Sequence, residues 1–120
     1  MMLRIELPYP PSINHYYLHT AKGVILGAKG KKYRHDAILL LHKHKGHFDS
    51  LKRLNIVIYV FPPDKRKRDI DNLTKCLLDS LQHAGIYVDD NQIDCLSIIR
   101  RNQVKDGCVQ IWLSELDCEQ

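Results

Sequence analysis

Pro62-Pro63 separates the most apolar run of this chain from its most charged one, and that boundary constrains the fold more than any other feature. On one side, Leu54-Asn55-Ile56-Val57-Ile58-Tyr59-Val60-Phe61 is rich in β-branched and aromatic residues and too short for a typical helix. It reads as a strand buried largely on both faces. The two prolines offer no main-chain donor and end it. On the other side, Asp64-Lys65-Arg66-Lys67-Arg68-Asp69-Ile70-Asp71 sets four consecutive cations against two carboxylates one residue apart. Neither half of that segment can be core. The chain therefore leaves the end of a core strand as a charged loop, a place where α/β proteins often build their sites.

Runs of Arg and Lys suit phosphates, and Asp-x-Asp supplies the hard oxygen ligands that Mg²⁺ or Mn²⁺ takes alongside phosphate oxygens. Taken singly, each half has a plainer reading. A basic run is usually a solvated face, and an Asp at the start of a helix is usually an N-cap helped by the helix dipole. Here the two halves touch, and a second acidic pair, Asp89-Asp90, follows the same predicted helix. Gathered carboxylates repel one another, and a divalent cation is one way to keep several ionised together. The combination suggests metal-assisted chemistry on nucleic acid.

That helix is expected from Asp71, at or near the N-cap, to Ala84, with Gly85 as its stop. Leu73, Cys76, Leu77, Leu81 and Ala84 form its apolar stripe, while Asp71 and Lys75 share another face. Lys75 is either the partner of Asp71 in an i,i+4 ion pair or an ammonium for a scissile phosphate. Leu78 falls outside the stripe and is expected to meet another subunit.

Leu3, Ile5 and Leu7 alternate with polar residues as a strand ended by Pro8. From Pro8 to Tyr17 the prolines exclude regular structure and leave a rigid polar loop. Asn14, His15, Tyr16 and Tyr17 on it offer hydrogen bonds and stacking surface to nucleic acid, unless the tyrosines pack back on the sheet. Ala21 to Lys29 looks like a short hairpin or mobile loop. Tyr33, Ala37, Leu40 and Leu41 mark a helix from Lys31 to about His44, stopped by Gly46. His42, His44 and His47 are read as cations complementing the end of that helix rather than as a zinc site, since no Cys or carboxylate is spaced to complete one. Ile93 to Arg101 and Val109 to Leu116 are strands, joined as a hairpin by the Asp106-Gly107 signal, with Trp112 in the core. Arg100-Arg101 is an exposed strand end or a further phosphate contact.

These elements make a single α+β domain over residues 1–120, long enough to bury a core without disulfides or a structural metal. Cys76, Cys95, Cys108 and Cys118 contain no CxxC pair, and no apolar N-terminal segment marks export, so they are expected to be reduced thiols in a cytoplasmic protein. No run of about 18 apolar residues is present to span a membrane. A net charge of +4 and a pI of 8.9 permit nucleic acid as a partner without requiring it.

Three segments together resemble the RusA family of Holliday-junction resolvases. They are Leu-Pro-x-Pro-Pro-Ser-x-Asn-x-x-Tyr from Leu7 to Tyr17, Arg-Asp-Ile-Asp-Asn-Leu-x-Lys from Arg68 to Lys75, and Ala-Gly-Ile-x-x-Asp-Asp-x-Gln from Ala84 to Gln92. The resemblance implies that Asp69, Asp71 and Asp90 are catalytic carboxylates that bind Mg²⁺, with Mn²⁺ a substitute, and that Lys75 is a catalytic lysine. It implies that Lys65, Arg66, Lys67 and Arg68 hold DNA backbone, with Asn72 orienting a metal ligand and Asp89 an accessory member. It further implies a small mixed-sheet fold with two main helices, a homodimer, a cytoplasmic and nucleoid-associated setting, often phage or prophage origin, and paired nicks in four-way DNA junctions at preferred dinucleotides. No nucleotide cofactor is implied.

The charge logic agrees with this expectation. Phosphodiester hydrolysis crowds negative charge into its transition state, which Mg²⁺ held by carboxylates offsets, and a two-fold junction suits a two-fold dimer. Two alternatives carry the same residues: a less discriminating Mg²⁺ nuclease on branched DNA, and a non-catalytic DNA-binding module in which Asp69 and Asp71 are caps.

Overall fold

The computed structural model describes residues 2–116; Cys118 lies outside them. Leucine and isoleucine at alternate positions set β1 (Met2–Pro8), with Leu3, Ile5 and Leu7 buried and the residues between them exposed. After the prolines comes a four-residue helix, α1 (Ile13–Tyr16), then a separate antiparallel hairpin, β2 (Tyr17–Thr20) and β3 (Gly23–Leu26). The chain continues through α2 (Ala28–Leu40), β4 (Leu54–Phe61), α3 (Asp71–His83), β5 (Ile93–Arg100) and β6 (Cys108–Glu115).

The main sheet has the order β1-β6-β4-β5. β4 and β5 run parallel with α3 as their crossover, while β6 lies antiparallel to both β4 and β1. The expected α+β domain with a mixed sheet and two main helices is therefore present, α2 and α3 having 13 residues each. One face of the sheet, carrying Ile5, Ile56, Ile58, Val60, Ile111 and Leu113, packs on the helices. The α3 stripe fits there as its spacing predicted, with Leu73, Cys76, Leu77, Leu81 and Ala84 all buried. Gly85 at φ +76 ends the helix in the left-handed region that favours glycine.

Several local expectations are corrected. The Asp106-Gly107 turn exists, with both residues at positive φ, but β5 and β6 do not pair with each other. β4 lies between them, because a central strand buries its main-chain groups only by taking a partner on each side. Trp112 is on the sheet face away from the helices, between buried Ile111 and Leu113, with the Arg4 guanidinium 5.6 Å from its ring. The segment after Pro11 is not irregular: Ser12 O accepts from the amides of His15 and Tyr16, since the donor-less prolines end one residue earlier. The hairpin falls at Tyr17–Leu26 rather than from Ala21 to Lys29, and α2 begins three residues before Lys31. Leu40 is 54% exposed, and Leu41, just beyond the helix end, takes the core position.

Candidate active site and nucleic-acid interface

The loop from β4 to α3 is built around Asp64. Its carboxylate accepts the Arg66 amide at 3.0 Å and pairs with Arg68 Nη1 at 2.7 Å and Arg66 Nε at 3.4 Å. The bond to Arg68 is the main reason its carboxyl is held well below the usual carboxylate range. Arg68 in turn stands 5.6 Å over the ring of Tyr9, and the Arg100 guanidinium donates to the Arg68 carbonyl. Arg68 therefore ties three segments together, whereas Lys65, Arg66 and Lys67 extend into solvent. Arg66, Lys67, Asp69, Asn72, Asn14 and His15 line one open groove of about 630 Å³. Basic loop, acid and proline-rich segment thus share a surface.

The first turn of α3 begins at Asp71, with Ile70 as N-cap and no side-chain capping bond. Asp69 contributes only its main-chain carbonyl, which accepts the Asn72 amide at 3.2 Å. The carboxylates of Asp69 and Asp71 carry neither hydrogen bond nor ion pair among the described residues. The ion pair Asp71–Lys75 allowed by their spacing is not formed, and the Lys75 ammonium stays exposed. The helix dipole lowers the cost of the charge on Asp71. No hydrogen bond or ion pair of the fold occupies either carboxylate among the described residues.

The second acidic pair splits. Asp89 caps the 3₁₀ turn Asp90–Gln92: its carboxylate accepts the Asn91 amide, and the Gln92 side chain accepts the amides of Val88 and Asp89 at 2.9 Å. Asp90 faces α3. Its amide donates to Gln82 Oε1, and its carboxylate accepts from the Tyr87 hydroxyl at 2.6 Å, a hydroxyl shared with Leu78 O at 2.9 Å. Burial is the largest influence raising the Asp90 carboxyl above its ordinary value; the Tyr87 bond and Lys75 oppose it, and the negative charge of Asp79 adds to it.

Asp69 and Asp71 sit at the helix start, while Asp90 is tied at the level of Leu78, seven residues and roughly 10 Å of helix rise further on. No three His, Cys, Asp or Glu side chains converge to hold an ion among the described residues. Mg²⁺ usually takes only one or two carboxylates, leaving its other positions to water and substrate phosphate. The unpaired, hard oxygen donors of Asp69 and Asp71 fit that requirement in kind. His47, by contrast, packs edge-on against Phe48, with ring centroids 4.6 Å apart.

Further along α3, Asp79 is fully engaged. Arg34 Nη2 lies 2.7 Å from its Oδ2, the Tyr16 hydroxyl donates to the same oxygen, and His83 Nε2 is 3.6 Å from Oδ1. This junction anchors α1, and with it Asn14 and Tyr17, to both long helices. Gly30 completes the anchor, because a Cβ there would collide with the Tyr16 main chain. The sequence pattern gave no warning of the Arg34–Asp79–Tyr16 junction, since its members are 45 and 63 residues apart. Tyr9 and Tyr87 also escaped it, although Tyr9 between two prolines carries a signal of rigid presentation.

The open groove lined by Arg66, Lys67, Arg68 and Asp69 carries side chains of the kind that bind phosphate oxygens and divalent cations. A family profile described as "Endodeoxyribonuclease RusA" matches residues 8–113, and the chain belongs to that family. It is 40% identical over 111 residues to "Crossover junction endodeoxyribonuclease rusA" of Enterobacteria phage HK97, covering 92% of each chain. It is 31% identical over 115 residues to the protein of that description in Escherichia coli strain K12, covering 96% of each. The same identity and coverage hold for Enterobacteria phage 82. Among solved structures, the periplasmic domain of Helicobacter pylori MotB overlays with a TM-score of 0.41 at 14% identity, covering 97% of this chain and 78% of that one, too loosely to bear on function. No helix of the described residues is long and apolar enough to cross a membrane.

Proposed function

We propose that this chain is a Mg²⁺-dependent, structure-specific endodeoxyribonuclease that resolves four-way DNA junctions by paired phosphodiester hydrolysis, working as a homodimer. The observation that carries this reading is the pair of unpaired carboxylates, Asp69 and Asp71, between a basic loop and Lys75 in a chain of the RusA family. Relatives named as crossover junction endodeoxyribonucleases support the choice of substrate.

In this reading Asp69 and Asp71 hold Mg²⁺, with Asp90 facing the same phosphate from the other side of Lys75. When bound, the ion supplies a Lewis acid and a more acidic water at neutral pH. Lys75 places its ammonium on a non-bridging oxygen of the scissile phosphate, where its charge counts most as negative charge develops. Lys65, Arg66 and Lys67 hold flanking phosphates, and Asn72 steadies the neighbouring carboxylate. Asp89 acts by holding the turn that presents Asp90. A two-fold dimer sets two such sites on opposed strands of the junction.

The binding-module alternative needs Asp69 and Asp71 as caps, and neither side chain makes a capping bond among the described residues. The test is cleavage of a mobile four-way junction, a fork and a linear duplex of matched sequence in Mg²⁺, with the mass in solution measured by sedimentation. Symmetric paired nicks in the junction alone, from a dimer, support the reading. Equal cutting of fork and junction, a monomer, or binding without cutting in either Mg²⁺ or Mn²⁺ would contradict it.

A further inference from the structure

On the far side of Asn14 from the basic groove lies a second cleft of about 480 Å³, lined by Ile13, Asn14, Tyr17, His19, Val24 and Lys75. It is walled by the β2–β3 hairpin on one side and by α3 on the other. Its walls are chiefly apolar, which the chemistry of phosphate binding does not require. On the hairpin face that lines the cleft, Val24 is 57% exposed. The first residue of the hairpin is fixed, because the Tyr17 ring meets Tyr16 edge-on at 4.8 Å and Tyr16 is locked to Asp79 and Ser80. An exposed apolar residue beside a rigid aromatic base is built to receive something flat.

We infer that this cleft receives one unstacked nucleobase, next to the scissile phosphate, and that Tyr17, His19 and Asn14 read it. The inference deepens the nuclease reading and rests on it for the position of the cut. Three observations select a nucleobase as occupant. Tyr17, Ile13 and Val24 offer the aromatic and aliphatic surfaces on which a base stacks, whatever its identity. Asn14 and His19 add an amide and an imidazole able to donate and accept at a base edge. Asn14 also lines the groove that holds Asp69, and Lys75 lines the cleft, so a strand whose backbone follows the groove brings its next base here. Stacking on the Tyr17 ring offsets part of the cost of extruding a base.

The test uses full-length protein and junctions with 2-aminopurine at each position flanking the cut. Bound by Asp71→Asn protein, one position is expected to change its fluorescence severalfold, and Tyr17→Ala or His19→Ala in that background to abolish the change. In proteins able to cut, the same substitutions should slow cleavage of the preferred sequence on the order of tenfold to a hundredfold and flatten the difference among sequences to about twofold. Tyr17→Phe, which keeps the ring, should retain both signals, and His19→Ala, at an exposed position, gives the same readout where truncation does not threaten folding. No fluorescence change at any position, or full sequence preference in Tyr17→Ala and His19→Ala, would overturn the inference while leaving the nuclease reading intact. Tyr17-dependent fluorescence from a protein that never cuts would support the base receptor and remove the nuclease reading.

Discussion

Asp71 and Asp79 lie two turns apart on one helix, yet their surroundings are opposite. Asp79 is held by Arg34, Tyr16 and His83, its side chain 18% exposed, and ties α1 and α2 to α3. Asp71 has no partner among the described residues and lies beside Asp69, which has none either. The fold supplies neither Asp69 nor Asp71 with a donor, whereas it surrounds with donors the carboxylate that joins three helices. The difference separates an acid that acts on something outside the chain from an acid that holds the chain together.

Removing the first kind should cost activity and little else. Asp69→Asn and Asp71→Asn are expected to lower single-turnover cleavage on the order of 10³-fold, with junction binding kept in a mobility-shift assay. Lys75→Ala should follow at roughly 10²-fold, since one charge aimed at the phosphate is lost. Removing the second kind should cost stability: Asp79→Ala leaves Arg34 and Tyr16 without their acceptor and should lower the urea-unfolding free energy by about 1–3 kcal/mol. A wild-type midpoint for Asp79→Ala would break the comparison.

Two smaller effects sharpen it in the basic loop. Asp64 has its carboxyl depressed, chiefly by Arg68, so its stabilisation is fully present above the unfolded-state value near 4 and lost as pH falls through the lower folded value. Asp64→Asn should therefore lower the thermal midpoint at pH 7, by an amount that shrinks progressively below about pH 4. Lys65→Ala and Lys67→Ala should leave that midpoint unchanged and each reduce the salt slope of DNA binding by about 1. A slope unchanged in both variants would remove them from the interface.

The elements that pack by periodicity were legible in the sequence. The α3 stripe, the alternation in β1 and the arrest of β4 at Pro62 each follow from side-chain spacing or a missing donor, which are local properties. What escaped was pairing between distant segments. Asp106-Gly107 encodes a tight turn but not which strands it serves, and that is decided by the need of β4 for partners on both edges. Hydrophobicity alone sends Trp112 to the core, yet its place in the alternation of β6 puts it on the opposite face. The acids of the candidate site were legible because they are adjacent in the chain. The position of Asp90, fixed through Tyr87, Leu78 and Gln82, was not.

The most direct test sets Asp71→Asn beside Asp79→Asn on one four-way junction in Mg²⁺, measuring cleavage rate and unfolding midpoint on the same preparations. A crossed result is expected, with Asp71→Asn slowed on the order of 10³-fold at near wild-type stability and Asp79→Asn less stable but still cutting below its midpoint. If Asp71→Asn cuts at the wild-type rate, the unpaired carboxylate is not part of the chemistry and the assignment of the site is wrong.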